Sequence, residues 1–282
     1  MHSMPKSSAI LSAFGGLLVD KRFLCLLAAL LLTAAPALGE MTVERREGEQ
    51  YYPSEKNWTY HFTYAYPRVA GDNYTAALIN DTYEMALDEW AQLVLPMFAN
   101  SADMRYGGKN EVKHDFTVMC NNGKVLSILQ TRIQTRGEEG ALYALDPLTF
   151  DVGGMYAGET LTLRGVTLIQ AGVDGELLED VEPELYPEIA HIIDGSSDEM
   201  AEALLPILYQ EFQRLQGAGV IAAHWTREEF EDEFSPAQDF YTDEAGRVVF
   251  FFQPTLLSSP SFDVPVFPYT PAELDAVLAN AE

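Results

Sequence analysis

The residues most able to do chemistry are acids. Glu228, Glu229, Glu231, Asp232 and Glu233 crowd one short stretch, and Asp239, Asp243 and Glu244 follow closely. Carboxylates cleave glycosidic bonds when two of them flank the bond ~5–10 Å apart and one is kept protonated by its surroundings. That chemistry needs a facing pair across a cleft. Five acids on one short helix instead present a solvated face. The later three do not follow the spacing of a calcium loop. A cell-envelope glycan hydrolase acting through Glu228, Glu229, Asp232, Asp239 or Asp243 is the alternative this stretch leaves open.

The other reactive residue types are sparse. His2, His61, His114, His191 and His224 never pair at metal-ligand spacing. They read as surface or aromatic-packed residues. His114 and Asp115 are neighbours in a predicted strand, so their side chains face opposite ways. There is no Gly-x-Ser-x-Gly elbow, no His-Glu-x-x-His helix, and no Gly-rich loop ending in Lys-Ser or Lys-Thr. Cys120 has no basic neighbour to lower its pKa and reads as a small, semi-buried residue. Asn57, Asn73 and Asn80 each begin a glycan sequon, which matters only in a eukaryotic secretory pathway. The sequence therefore predicts a non-catalytic chain with no catalytic residue, no cofactor and no metal.

Charge narrows the partners. The 282 residues include 43 acidic and 17 basic ones, a net −26. A nucleic-acid partner would be repelled. From Glu40 to Gly137 the chain has 13 acids and 10 bases; from Glu138 to Glu282 it has 29 acids and only Arg164, Arg214, Arg227 and Arg247. An acidic half this pronounced serves solubility, or steers a cationic partner.

These side chains need elements to hold them. An alternating run at 58–66 predicts a strand with Tyr60, Phe62, Tyr64 and Tyr66 on one face, ended by Pro67. Ile79, Tyr83, Ala86, Trp90 and Leu93 form one stripe and predict a helix over 73–97. Asn121-Asn122-Gly123 joins strands predicted at 112–120 and 124–135 in a hairpin. A further strand is predicted at 142–151, and 160–169 reads as a strand or a helix start. Met200, Leu204, Leu208, Phe212 and Leu215 mark a second long helix over 197–215, stopped by Gly217 and Gly219. A short acidic helix is predicted at 226–234. A second hairpin turns at Asp243-Glu244-Ala245-Gly246 into the wholly apolar Val248–Phe252 run, a strand buried on both faces. A last strand is predicted at 262–267. Thr270-Pro271-Ala272-Glu273 announces a C-terminal helix. The whole predicts an α+β fold: an antiparallel sheet with two main helices packed against it and a short C-terminal helix.

The N-terminus reads as an export leader. Lys21 and Arg22 precede an apolar run from Phe23 to Leu38, and Ala37-Leu38-Gly39 offers small residues for cleavage after Gly39. The run is short for a bilayer span and contains Pro36, although an uncleaved anchor serving a membrane-bound sensor is the competing reading. Cys25 lies inside the run, which does not suit a lipid anchor. The expected layout is a signal peptide at 1–39, a linker at 40–56 and one domain at 57–282. The mature chain keeps one cysteine, so no internal disulfide is expected.

Four segments carry a resemblance. They are Tyr60-His61-Phe62-Thr63-Tyr64-Ala65-Tyr66-Pro67 with the Ile79-Asn80 helix; the hairpin through Gly123-Lys124-Val125-Leu126-Ser127-Ile128; Leu148-Thr149-Phe150-Asp151-Val152 with Leu161-Thr162-Leu163; and Val249-Phe250-Phe251-Phe252-Gln253-Pro254 closing on Phe267-Pro268-Tyr269. In this order they resemble a bacterial extracytoplasmic domain of unknown function. The chain is similar, from about Tyr60 to Leu274, to the ectodomain of RsiV-type anti-sigma factors and to the non-catalytic N-terminal region of PdaC-type peptidoglycan deacetylases.

The resemblance implies an α+β fold and, from the RsiV-type members, binding of lysozyme, a cationic protein. Two stretches depart from the pattern. Glu139-Gly140-Ala141-Leu142 stands where the family often has Gly-Gly-Ala-His, so no role of that histidine carries over. Pro254-Thr255-Leu256-Leu257-Ser258-Ser259-Pro260 replaces a Pro-Tyr-x-x-Ala-Pro-Tyr-type stretch. Neither a cytoplasmic sigma-binding segment nor a deacetylase domain is expected. The expectation is an exported, extracytoplasmic binding domain for a cationic protein or a peptidoglycan component, with no membrane contact once the leader is cleaved.

Overall fold

The computed structural model describes residues 39–57, 59–100, 110–136, 140–154, 156–173, 181–221 and 225–281. The leader through residue 38, with His2 and Cys25, lies outside the described residues, as do Trp58 and His224. Gly39–Glu282 forms one compact unit.

The expected linker at 40–56 is largely a strand. β1 (Val43–Tyr52) pairs antiparallel with β2 (Tyr60–Val69) along its whole length, from Val43↔Val69 to Tyr52↔Tyr60. Its charges, Glu44, Arg45, Arg46, Glu47 and Glu49, hide it from a hydropathy reading. They suit the edge of a sheet, where charge blocks pairing with another chain. Pro67 does not end β2. Pairing with the next strand stops at Tyr64, so Pro67 sits where β2 has one neighbour only, which a strand tolerates.

The aromatic ladder packs as expected under α1 (Tyr74–Glu89). Tyr60, Phe62 and Tyr66 are buried against Ile79, Tyr83 and Leu87, and the Asn73 side chain caps the helix by accepting from the Ala76 N–H. The stripe then loses phase. Trp90–Val94 is a π turn in which the Leu95 N–H reaches back to the Trp90 carbonyl, and α2 (Leu95–Asn100) follows. Pro96 has no N–H to give an upstream carbonyl, and the wide turn lies directly before it. One extra residue in the turn rotates the face. Leu93, expected inward, is 63% exposed, and Leu95 is buried instead.

This helical connection makes β2 and β3 (Asn110–Asn121) parallel, from Tyr60↔Asn110 to Tyr64↔His114, because a crossover element has replaced a hairpin. The predicted hairpin follows. β3 pairs with β4 (Val125–Arg136) around Gly123, whose φ of 78° an L side chain rarely adopts. β5 (Ala141–Asp151) completes a five-stranded sheet in chain order, antiparallel apart from that one pair. The segment left open at 160–169 is mainly helical. It forms α3 (Leu163–Gln170), capped by Thr162.

The second half builds its own core. α4 (Ala190–Asp194) leads into α5 (Ser197–Gly217), whose Ser196–Glu199 capping box and buried stripe from Met200 to Leu215 match the sequence reading. α6 (Arg227–Glu233) is short. β6 (Phe240–Thr242), β7 (Val248–Phe251) and β8 (Val266–Tyr269) form a separate three-stranded antiparallel sheet. The sequence predicted one sheet. These strands are three or four residues long and join the first sheet through side chains: the Thr242 N–H donates to Ser127 Oγ, and the Gln253 amide bonds both backbone groups of Leu145. α7 (Pro254–Leu257) follows β7. The last strand lies later than predicted, and Phe262 packs edge-on against Tyr143 outside it. α8 (Pro271–Ala279) starts at the predicted Thr270–Glu273 capping box.

Candidate functional site

The acids singled out in the sequence do not share a cleft. Phe230 and Phe234 fix α6 to the core, and Glu228, Glu229, Glu231, Asp232 and Glu233 all face solvent. Hydrogen bonds from the Thr226 backbone and hydroxyl hold the Glu229 carboxyl below the usual carboxylate range, the reverse of what a general acid requires. Glu231 pairs with Arg227.

Asp239 is the buried one. Burial pushes its carboxyl up, while the Ser235 N–H (2.9 Å) and the Gln253 amide (2.8 Å) donate to it. It clamps the second sheet to β5 through Gln253. Asp243 accepts from the N–H groups of Ala245 and Arg247 and pairs with the Arg247 guanidinium, organising the turn. Glu244 is exposed. Among the described residues, no group of three or more His, Cys, Asp or Glu side chains could hold a metal ion.

The histidines have separate environments. His61 stacks on Tyr51 with ring centroids 4.3 Å apart and bonds Glu49. His114 is buried between Phe62 and Trp90, with Nδ1 2.7 Å from the Tyr66 hydroxyl. Burial, and then the charge of Arg132, lower its pKa to about 3, so the ring is neutral at ordinary pH. Cys120 is fully buried; burial and then the charges of Asp243 and Glu244 push its thiol up to about 11, which keeps it unreactive. The Asn73 and Asn80 amides serve structure: Asn73 caps α1, and Asn80 bonds both backbone groups of Val69.

One constellation has no precursor in the sequence reading. α4, α5 and α8 enclose a cleft of about 410 Å³ lined by His191, Asp194, Glu199 and Glu202, with Ala203 and Leu278 supplying apolar surface. His191 Nδ1 lies 3.0 Å from Asp275 Oδ2, and Asp275 Oδ1 accepts from the Ile192 N–H, which fixes α4 to α8. Gly195 closes α4 so tightly that a Cβ there would lie 2.9 Å from the His191 carbonyl oxygen. The pair spans 84 residues, so no spacing rule could reveal it. Among the described residues, neither Lys nor Arg lines the cleft. Three carboxylates above an apolar floor can take an ammonium or guanidinium group while its aliphatic stem lies on Leu278.

No family model matches the chain, and no curated protein matches it. Solved structures similar to the chain include two DUF3298 proteins. One is a DUF3298 family member from Bacteroides fragilis, 13% identical, with 83% of this chain and 91% of that one covered and a TM-score of 0.42. The other is a DUF3298 family protein from Pseudomonas aeruginosa, 11% identical, with 85% and 94% covered and a TM-score of 0.42. Its structural neighbours are thus DUF3298 proteins, and at these values the likeness carries no argument about function.

Proposed function

We propose that this chain is an exported, non-catalytic binding domain of the bacterial cell envelope whose acidic second half receives a cationic partner. That partner is a cationic protein such as lysozyme, or a peptidoglycan component. The observation that carries the reading is the cleft of Asp194, Glu199 and Glu202. The local cations of this half are already committed. Arg214, Arg227 and Arg247 pair with acids within one helical turn or one hairpin turn, and Arg164 donates to the carbonyls of Ile192 and Ile193. The surplus negative charge therefore faces solvent, where it raises the encounter rate of a cation. The leader read at 1–39 supports export, and the resemblance of the four ordered segments to RsiV-type ectodomains supports an extracytoplasmic binding role.

The test is an affinity measurement with lysozyme at about 0.01 M salt, where screening extends over ~30 Å. The combined variant Asp194→Asn, Glu199→Gln, Glu202→Gln removes three charges, and the amide introduced by Glu199→Gln still satisfies the Ser196 cap. Binding should weaken roughly tenfold, and purified peptidoglycan incubated with the domain alone should remain intact. Unchanged affinity would move the partner away from the cleft. Cleavage of peptidoglycan would end the non-catalytic reading.

A further inference from the structure

A second concavity lies on the five-stranded sheet beside the π turn. It measures about 450 Å³, within the ~300–1,000 Å³ range of small-molecule sites. Trp90, Val94 and Phe98 form one wall, and Leu142 contributes apolar surface from β5. Leu142 is 45% exposed.

Among the described residues, the groove contains one cation, Arg132 of β4. The register sets Arg132 opposite His114 on one side and Ala144 on the other, and beside the small Ala144 the Arg132 side chain stays 32% exposed. Its carbon sits 5.3 Å from the Trp90 ring centroid. Its nearest carboxylate among the described residues is Asp146, at 3.9 Å, and it makes no hydrogen bond to a described residue. Arg45, Arg46, Arg214, Arg227 and Arg247 each bond a carboxylate directly. Arg132 is thus a guanidinium oriented by an aromatic face, with donors still open.

We propose that this groove binds a monocarboxylate carried on an apolar body. Arg132 would donate two parallel N–H bonds to the carboxylate, and Trp90, Phe98 and Leu142 would cover the apolar part. Glu89 also lines the groove and, with Asp146 beside Arg132, favours a ligand with one negative charge over one with two. The site is separate from the acidic cleft and does not depend on the function proposed for it.

The probe is N-acetyl-L-phenylalanine, compared by calorimetric titration with its uncharged amide, which has the same shape. The acid should bind at about millimolar concentration and at least roughly tenfold more tightly than the amide. Arg132→Lys keeps the charge but loses the planar fork, and should weaken the acid roughly tenfold with no change for the amide. The comparison of acid with amide on the unaltered protein needs no variant, so it stands if Arg132→Lys fails to fold. Equal affinity for acid and amide, no binding of the acid at about 10 mM, or full affinity in a folded Arg132→Lys protein would each overturn the proposal.

Discussion

Replacing Phe252 with alanine should lower the stability of the domain by about 3–5 kcal/mol. Phe252 follows β7 directly and is fully buried. Its ring lies 4.9 Å from that of Phe267, 5.2 Å from Phe234, 5.4 Å from Phe212 and 5.6 Å from Phe230. Those rings come from β8, the end of α6, α5 and α6 itself, so one side chain joins most of the second-half core. Truncation removes the buried area and leaves a cavity that several rigid rings cannot close. The urea unfolding midpoint measures the loss. Tyr74→Ala, at a residue 75% exposed, is the control and should change stability by no more than about 0.5 kcal/mol. A loss below about 1 kcal/mol for Phe252→Ala would show that the cluster does not hold this half together.

The second large effect is on pH. The His114 pKa falls from 6.5 to about 3 on folding, chiefly because burial disfavours the charged ring. Below pH ~6.5 the unfolded chain binds a proton that the folded chain refuses. The stability His114 preserves is complete above that value and is lost as pH falls toward ~3, on the order of 4 kcal/mol in all. Glu49, Asp115, Glu229 and Glu273, with lowered pKa values, act in the same direction in the more acidic carboxylate range. Asp239, with a raised one, acts oppositely. Comparison with a His114→Gln variant between pH ~7 and ~5 separates this histidine from His61 and His191. His114→Gln can still bond the Tyr66 hydroxyl and should flatten the slope in that window. Equal slopes in both proteins would mean that the ring titrates freely in the folded state.

Much of this architecture was readable because its cause was local. Asn122-Gly123, Ser196–Glu199 and Thr270–Glu273 act within one turn of backbone, and the stripe from Met200 to Leu215 needs only a helical period. What the sequence hid depends on neighbours. β1 is polar because it is an edge, Leu93 turns outward because of a π turn next to Pro96, and the second sheet separates because its strands are too short to extend the first. The site was less legible than the fold. The five acids of α6 drew attention by crowding, yet they face solvent. The cleft joins Asp194 and Glu202 to a His191–Asp275 pair made by chain segments far apart. Arg132 is legible only once the register sets Ala144 beside it.

The acidic half should attract a cationic partner through its charge. Titrating lysozyme into the domain from ~0.01 M to ~0.15 M salt tests it most directly, since the screening length falls from ~30 Å to ~8 Å over that span. Affinity should drop steeply over the series, by roughly tenfold or more. An affinity that stays constant across the series, or no binding even at the lowest salt, would contradict it.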